Sequence, residues 1–267
     1  MSPTNPTPPP IAVNVPPLPT QPQPAPASPR GNAPGDDPVE REPIADLFAA
    51  IEAILRQPRR VMFQVTRANS RPLIAGMLWI ALLSAAVYGL VVGTFSGGEQ
   101  LWRAPLKIAT GLVLTALICL PSLYIFACLS GSNARLIEVI GLVSGMLALM
   151  TVLLIGFAPV AWVFSQSTES VAAMGALHLV FFLVALCFGV RFLQSSFDRL
   201  SPQTESGPLG VWVIIFLLVA LQMTTALRPI VGTSETFLPT DKKFFASHWY
   251  STVADTAAKK PQADGRR

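Results

Sequence analysis

A chain of 267 residues that is 51% hydrophobic and only 13% charged departs from soluble domains, in which about 25% of residues are charged. Its net charge of +4 is no footprint for nucleic acid, because many basic residues flank apolar windows, where a membrane surface accounts for them. Cys119, Cys128 and Cys187 form no C-x-x-C pair and all lie in apolar windows. They read as small packing residues rather than as metal ligands or a disulfide framework.

Residues 1–43 hold 15 of the 25 prolines. The run Pro8-Pro9-Pro10 and the alternating stretch 21–26 favour extended polyproline II without internal hydrogen bonds. Such a segment cannot bury a core, so it reads as a disordered arm, a spacer in preference to a ligand for a proline-binding domain. It has no apolar h-region, and the first span is expected to act as its own insertion signal.

Region 44–66 changes character. Leu47, Phe48, Ile51, Ile54 and Leu55 recur at helical spacing, while Asp46, Glu52 and Arg56 lie elsewhere around the helix. Pro43 suits a first turn and Pro58 ends the pattern. Arg59, Arg60, Arg67 and Arg71 follow. A short amphipathic helix with a basic flank next to a membrane span predicts an interfacial helix at the lipid headgroups or under the bundle.

Five windows without any charged residue then occupy 72–98, 108–134, 139–168, 170–190 and 206–227. A bilayer core of ~30 Å needs about 20 apolar helical residues, and each window is long enough. The expectation is an all-α membrane protein, a bundle of five transmembrane helices over 72–230. The spans fall near 73–95, 106–129, 139–164, 171–193 and 209–230. Pro121 and Pro159 fall inside the second and third, where each removes a backbone donor and favours a kink. Short connections make consecutive helices antiparallel neighbours. Residues 231–267, with Lys242-Lys243-Phe244-Phe245 and His248-Trp249-Tyr250, read as a short interfacial segment and a flexible tail.

Lysine and arginine distribution sets orientation. Arg56, Arg59, Arg60, Arg67, Arg71, Arg135, Arg191 and Arg199 fall on one side. Arg103, Lys107, Arg228, Lys242 and Lys243 fall on the other. The bias predicts a cytoplasmic N-terminus and a far-side C-terminus.

Catalytic and cofactor motifs are missing: there is no H-E-x-x-H, no G-x-S-x-G and no Walker loop. No catalytic, cofactor or metal residue is assigned. Lys107, Glu138, Arg191 and Arg228 fall at span ends, where long side chains can reach the interface. His178 and Gln222 lie deeper, and a lone histidine there reads as hydrogen-bonded to a neighbouring helix. Small residues recur at helical spacing instead: Gly89-x-x-x-Gly93 in the first span and Gly141-x-x-x-Gly145 in the third. These predict close helix packing within the monomer, or a face between two copies.

Ile51-x-x-Ile54-Leu55-x-x-Pro58-x-x-x-Met62-Phe63, followed by five closely spaced apolar spans, resembles the Yip family, membrane proteins named for interaction with Ypt/Rab-type GTPases, and in particular its bacterial members. The resemblance covers about residues 47–228. It implies a cytoplasmic N-terminal segment, five spans and a short far-side C-terminus, in a bacterial cytoplasmic membrane. The Asp-Leu-Tyr-Gly-Pro stretch of eukaryotic members is replaced here by Arg67-Ala68-Asn69-Ser70-Arg71-Pro72. The function expected is non-enzymatic: a membrane-organising or trafficking-type scaffold whose partners are the bilayer and other proteins or a second copy. The alternative is a small-solute transporter or channel with a neutral pathway near Pro121, Ser122, Pro159, His178 and Gln222.

Overall fold

The computed structural model describes residues 35, 37–67, 69–129, 134–168, 170–200 and 207–226. All regular structure among them is helical: α1 (Pro38–Arg41), α2 (Leu47–Arg56), α3 (Pro58–Val65), α4 (Arg71–Ser96), α5 (Gln100–Leu129), α6 (Leu136–Ser167), α7 (Val171–Leu200) and α8 (Gly207–Ala226). Four helices are long and apolar enough to cross a membrane, namely α4, α5, α6 and the Val171–Phe197 part of α7. The fifth apolar window forms α8, whose apolar stretch Gly210–Thr224 is shorter than the other four. Five spans were expected, and four meet the length.

The surface of these helices is apolar in a manner water does not tolerate. Trp79, Leu83, Trp102, Leu117 and Ile214 are all more than half exposed, which in a bilayer places them against acyl chains. Hydroxyls inside the helices bond to their own backbone. Thr115 donates to the Gly111 carbonyl, Ser144 to Ile140, Thr151 to Leu147 and Ser196 to Phe192, so none needs water.

α6 is the centre of the bundle, with 72% of its apolar window buried against 22–44% for the other three. It packs on α4, α7, α5, α2 and α3. The side-chain pairings set directions. Gly141 meets Ile74 and Gly145 meets Met77, so α6 runs parallel to α4. Gly145 meets Phe192, and Gly189 meets Met146 and Met150, so α7 runs antiparallel to α6. α5 returns antiparallel to α4 after a turn through Gly97 and Gly98, both at positive φ (63° and 55°), where a side chain would be strained. The start of α4 defines a near side, and the starts of α5 and α7 lie on the far side.

α8 is anchored on α5. Trp212, Phe216 and Ala220 are buried at i, i+4 and i+8, and the Trp212 indole donates to the Cys119 carbonyl at 3.0 Å. That carbonyl also accepts from Ser122 Oγ at 2.8 Å. α5 continues through Pro105 and Pro121, and α6 through Pro159.

The last residues of the expected proline-rich arm, 37–43, are held in place. Asp37 caps α1, and residues 40–43 are tied to α3. Gln64 Nε2 donates to the carbonyls of Glu40 (3.2 Å) and Glu42 (3.1 Å), and Arg60 donates to those of Glu42 and Pro43. Proline content hid these contacts, because the bonds come from side chains about 20 residues away. The earlier part of the arm, the segment after Ala226 and its aromatic cluster lie outside the described residues.

Candidate functional site

The near-side foot of the bundle is built by α2 and α3. The helix expected to begin at Ile44 starts at Leu47, because Asp46 takes the N-cap and its carboxylate accepts the Ala49 N–H at 2.7 Å. Pro58 ends α2 and opens α3 as its first residue.

At 100° per residue, α2 divides into three sectors. Ala50, Ala53 and Ile54 are buried against the bundle. Leu47, Leu55 and Phe48 follow around the helix at 50%, 47% and 84% exposure, with Ile51 half-buried among them. Glu52 and Arg56 form the third sector and pair at 3.5 Å. The five apolar residues expected to share one environment are thus divided: Ile54 belongs to the core, whereas Phe48, Leu47 and Leu55 point away from it. Leu47 lies over Gly76 of α4, where a β-carbon would stand 3.5 Å from Leu47 Cδ2. Gly76 is five residues beyond Arg71, about 7.5 Å along α4. Leu47, at the edge of the exposed apolar sector, therefore sits about a turn and a half along α4 from its start, a depth at which interfacial helices bury their apolar faces.

The four glycines divide by what they touch. A β-carbon on Gly89 would fall 2.5 Å from Pro105 Cα, and one on Gly93 2.7 Å from the Gln100 carbonyl oxygen. Both are backbone-to-backbone approaches between α4 and α5. Gly141 meets side chains, Val65 Cγ1 and Ile74 Cδ1, and Gly145 meets the ring of Phe192. Gly189, overlooked in the sequence although Ala185 stands four residues before it, faces Met150 Cγ at 2.7 Å.

A polar layer lies on the far side. His178 Nδ1 and the Tyr88 hydroxyl are 2.7 Å apart, with the rings edge-on, a hydrogen bond between α7 and α4. Among the described residues, His178 Nε2 and Gln100 Oε1 are buried without a hydrogen-bond partner. Lys107, expected near a span end, is 1% exposed. α5 begins at Gln100 rather than near residue 106, so Lys107 lies two turns inside, about 10 Å deep. Tyr88 and His178 are about 12 Å and 10 Å from the far-side ends of their helices by the same rise. No group of three histidine, cysteine or carboxylate side chains that could hold a metal occurs among the described residues, and Cys119, Cys128 and Cys187 are free thiols.

No family model, curated protein or solved structure matches this chain.

Proposed function

We propose that the chain is a non-enzymatic, membrane-organising scaffold of Yip-like character, in which five spans, α8 included, carry an interfacial helix on the cytoplasmic side. The observation that carries this reading is α2. One sector grips the bundle through Ala50, Ala53 and Ile54, and the next offers Leu47, Phe48 and Leu55 to the acyl–headgroup boundary. A helix held rigidly at that depth displaces lipid on one leaflet and changes its packing. The resemblance carried by Ile51, Ile54, Leu55, Pro58, Met62 and Phe63 supports a trafficking-type role. The arginine bias supports a cytoplasmic N-terminus. Close backbone packing through Gly89 and Gly93 supports a bundle made for rigidity.

A second reading, solute transport, is favoured by the two unpartnered buried polar atoms, His178 Nε2 and Gln100 Oε1, since buried polar groups are ordinarily satisfied.

Reconstitution into phosphatidylcholine vesicles separates the two. The scaffold reading expects wild-type protein to reduce vesicle diameter in electron micrographs, and Phe48→Asp with Leu55→Asp to abolish the effect without releasing the protein from the membrane. Vesicles of unchanged size that release trapped small solutes faster than empty ones would transfer the assignment to transport. Reporter fusions at both ends should place the N-terminus in the cytoplasm and the C-terminus outside it. Both ends in one compartment would remove the fifth span.

A further inference from the structure

The near-side foot is asymmetric in charge. Between residues 37 and 71 every carboxylate falls at or before Glu52, whereas residues 56–71 carry five arginines and no carboxylate. The acidic groups are committed locally. Asp46 caps α2, Glu40 accepts the Gly35 N–H, and Glu42 and Glu52 pair with Arg60 and Arg56. Arg59, Arg67 and Arg71 are exposed, and among the described residues none of them has a carboxylate within ion-pair distance. The guanidinium of Arg67 lies over the Phe63 ring at 4.8 Å.

Of these cations, Arg71 opens the span, at the level a membrane headgroup would take. Arg71 is the first residue of α4, and Leu47 reaches the level of Gly76 below it. Further along α4, Trp79 and Leu83 are 68% and 67% exposed, so the apolar sector of α2 runs on into the lipid-facing side of a span. A soluble partner docking on α2 alone would leave that continuation uncovered; a lipid covers both. We infer that this corner binds an anionic phospholipid, with Arg59, Arg67 and Arg71 on the headgroup phosphate and Leu47, Phe48 and Leu55 along the acyl chains. Arginine suits the task, since its planar fork meets phosphate oxygens in pairs, and basic clusters beside a span attract anionic lipid by about fivefold per cation. The inference rests on the interfacial placement of α2 proposed above and adds the lipid class.

The test uses the full-length protein, stripped of lipid in neutral detergent and titrated with phosphatidylglycerol or phosphatidylcholine under native mass spectrometry. Wild type should bind phosphatidylglycerol on the order of 100-fold more tightly than phosphatidylcholine at low salt. The preference should fall as salt rises. The triple variant Arg59→Gln, Arg67→Gln, Arg71→Gln should lose it, and the triple lysine variant should keep most of it. Equal affinity of wild type for the two lipids, or a preference that survives in the glutamine variant, overturns the inference and leaves the face to a protein partner. Should the glutamine variant fail to fold, the wild-type salt series decides, and a salt-independent preference counts against the three arginines. Vesicle reshaping in pure phosphatidylcholine tests the scaffold reading separately, so loss of lipid preference with reshaping intact removes only the lipid class.

Discussion

Gly89 approaches Pro105 so closely that a β-carbon on the glycine would stand 2.5 Å from the proline Cα. Gly145, which looks equivalent in sequence, meets the ring edge of Phe192 at 3.0 Å instead. Alanine gains about 1 kcal/mol over glycine in a helix interior, and overpacking costs about 1–3 kcal/mol. At Gly89 the neighbour is backbone that cannot rotate, so Gly89→Ala is expected to destabilise. At Gly145 a side chain can yield, so Gly145→Ala should be near neutral. Thermal unfolding in detergent checks both, and equal losses would contradict the distinction.

Trp212 fastens α8 to α5 by shape and by one hydrogen bond. Trp212→Phe keeps most of the shape and removes the donor to Cys119, and should cost about 0.6–1.7 kcal/mol, the range for interhelical hydrogen bonds in membranes. Trp212→Ala also opens a cavity and should cost about 3–5 kcal/mol. If the two variants unfold at the same temperature, packing contributes nothing and the anchor has been misread.

Tyr88 and His178 join α4 to α7 across the bundle. Tyr88→Phe, His178→Asn and the double variant form a thermodynamic cycle whose coupling energy should be about 0.6–1.7 kcal/mol. A coupling of zero would mean that the 2.7 Å contact is energetically idle. Loss of cellular function in His178→Asn alone, with stability intact, would favour transport over scaffolding.

The N-terminal arm should divide functionally between residues 34 and 43. Removing residues 1–34 is expected to leave the melting temperature unchanged, since it spares the contacts made by residues 40–43. Removing residues 1–43 takes away the carbonyls of Glu40, Glu42 and Pro43 that Gln64 and Arg60 use. It should destabilise the foot by about 1–3 kcal/mol, read as faster proteolysis between α2 and α3.

The existence of the apolar helices was legible because hydropathy over twenty residues is a local property of the chain, and a bilayer admits little besides helices there. The amphipathic character of Leu47–Arg56 and the small residues at 89, 93, 141 and 145 were legible for the same reason: periodicity needs no partner to be seen. Which sector of α2 faces the core was not, since Ile54 and Leu55 are adjacent and equally apolar, and only the position of α6 separates them. Nor was the burial of Lys107, because α5 extends two turns beyond its charge-free window and a hydropathy window ends where the first charge begins. The bonds from Trp212 to Cys119 and from Tyr88 to His178 join residues about 90 positions apart. Sequence specifies each helix and its faces; which faces meet, and so which polar atoms find partners, is decided only when the helices pack.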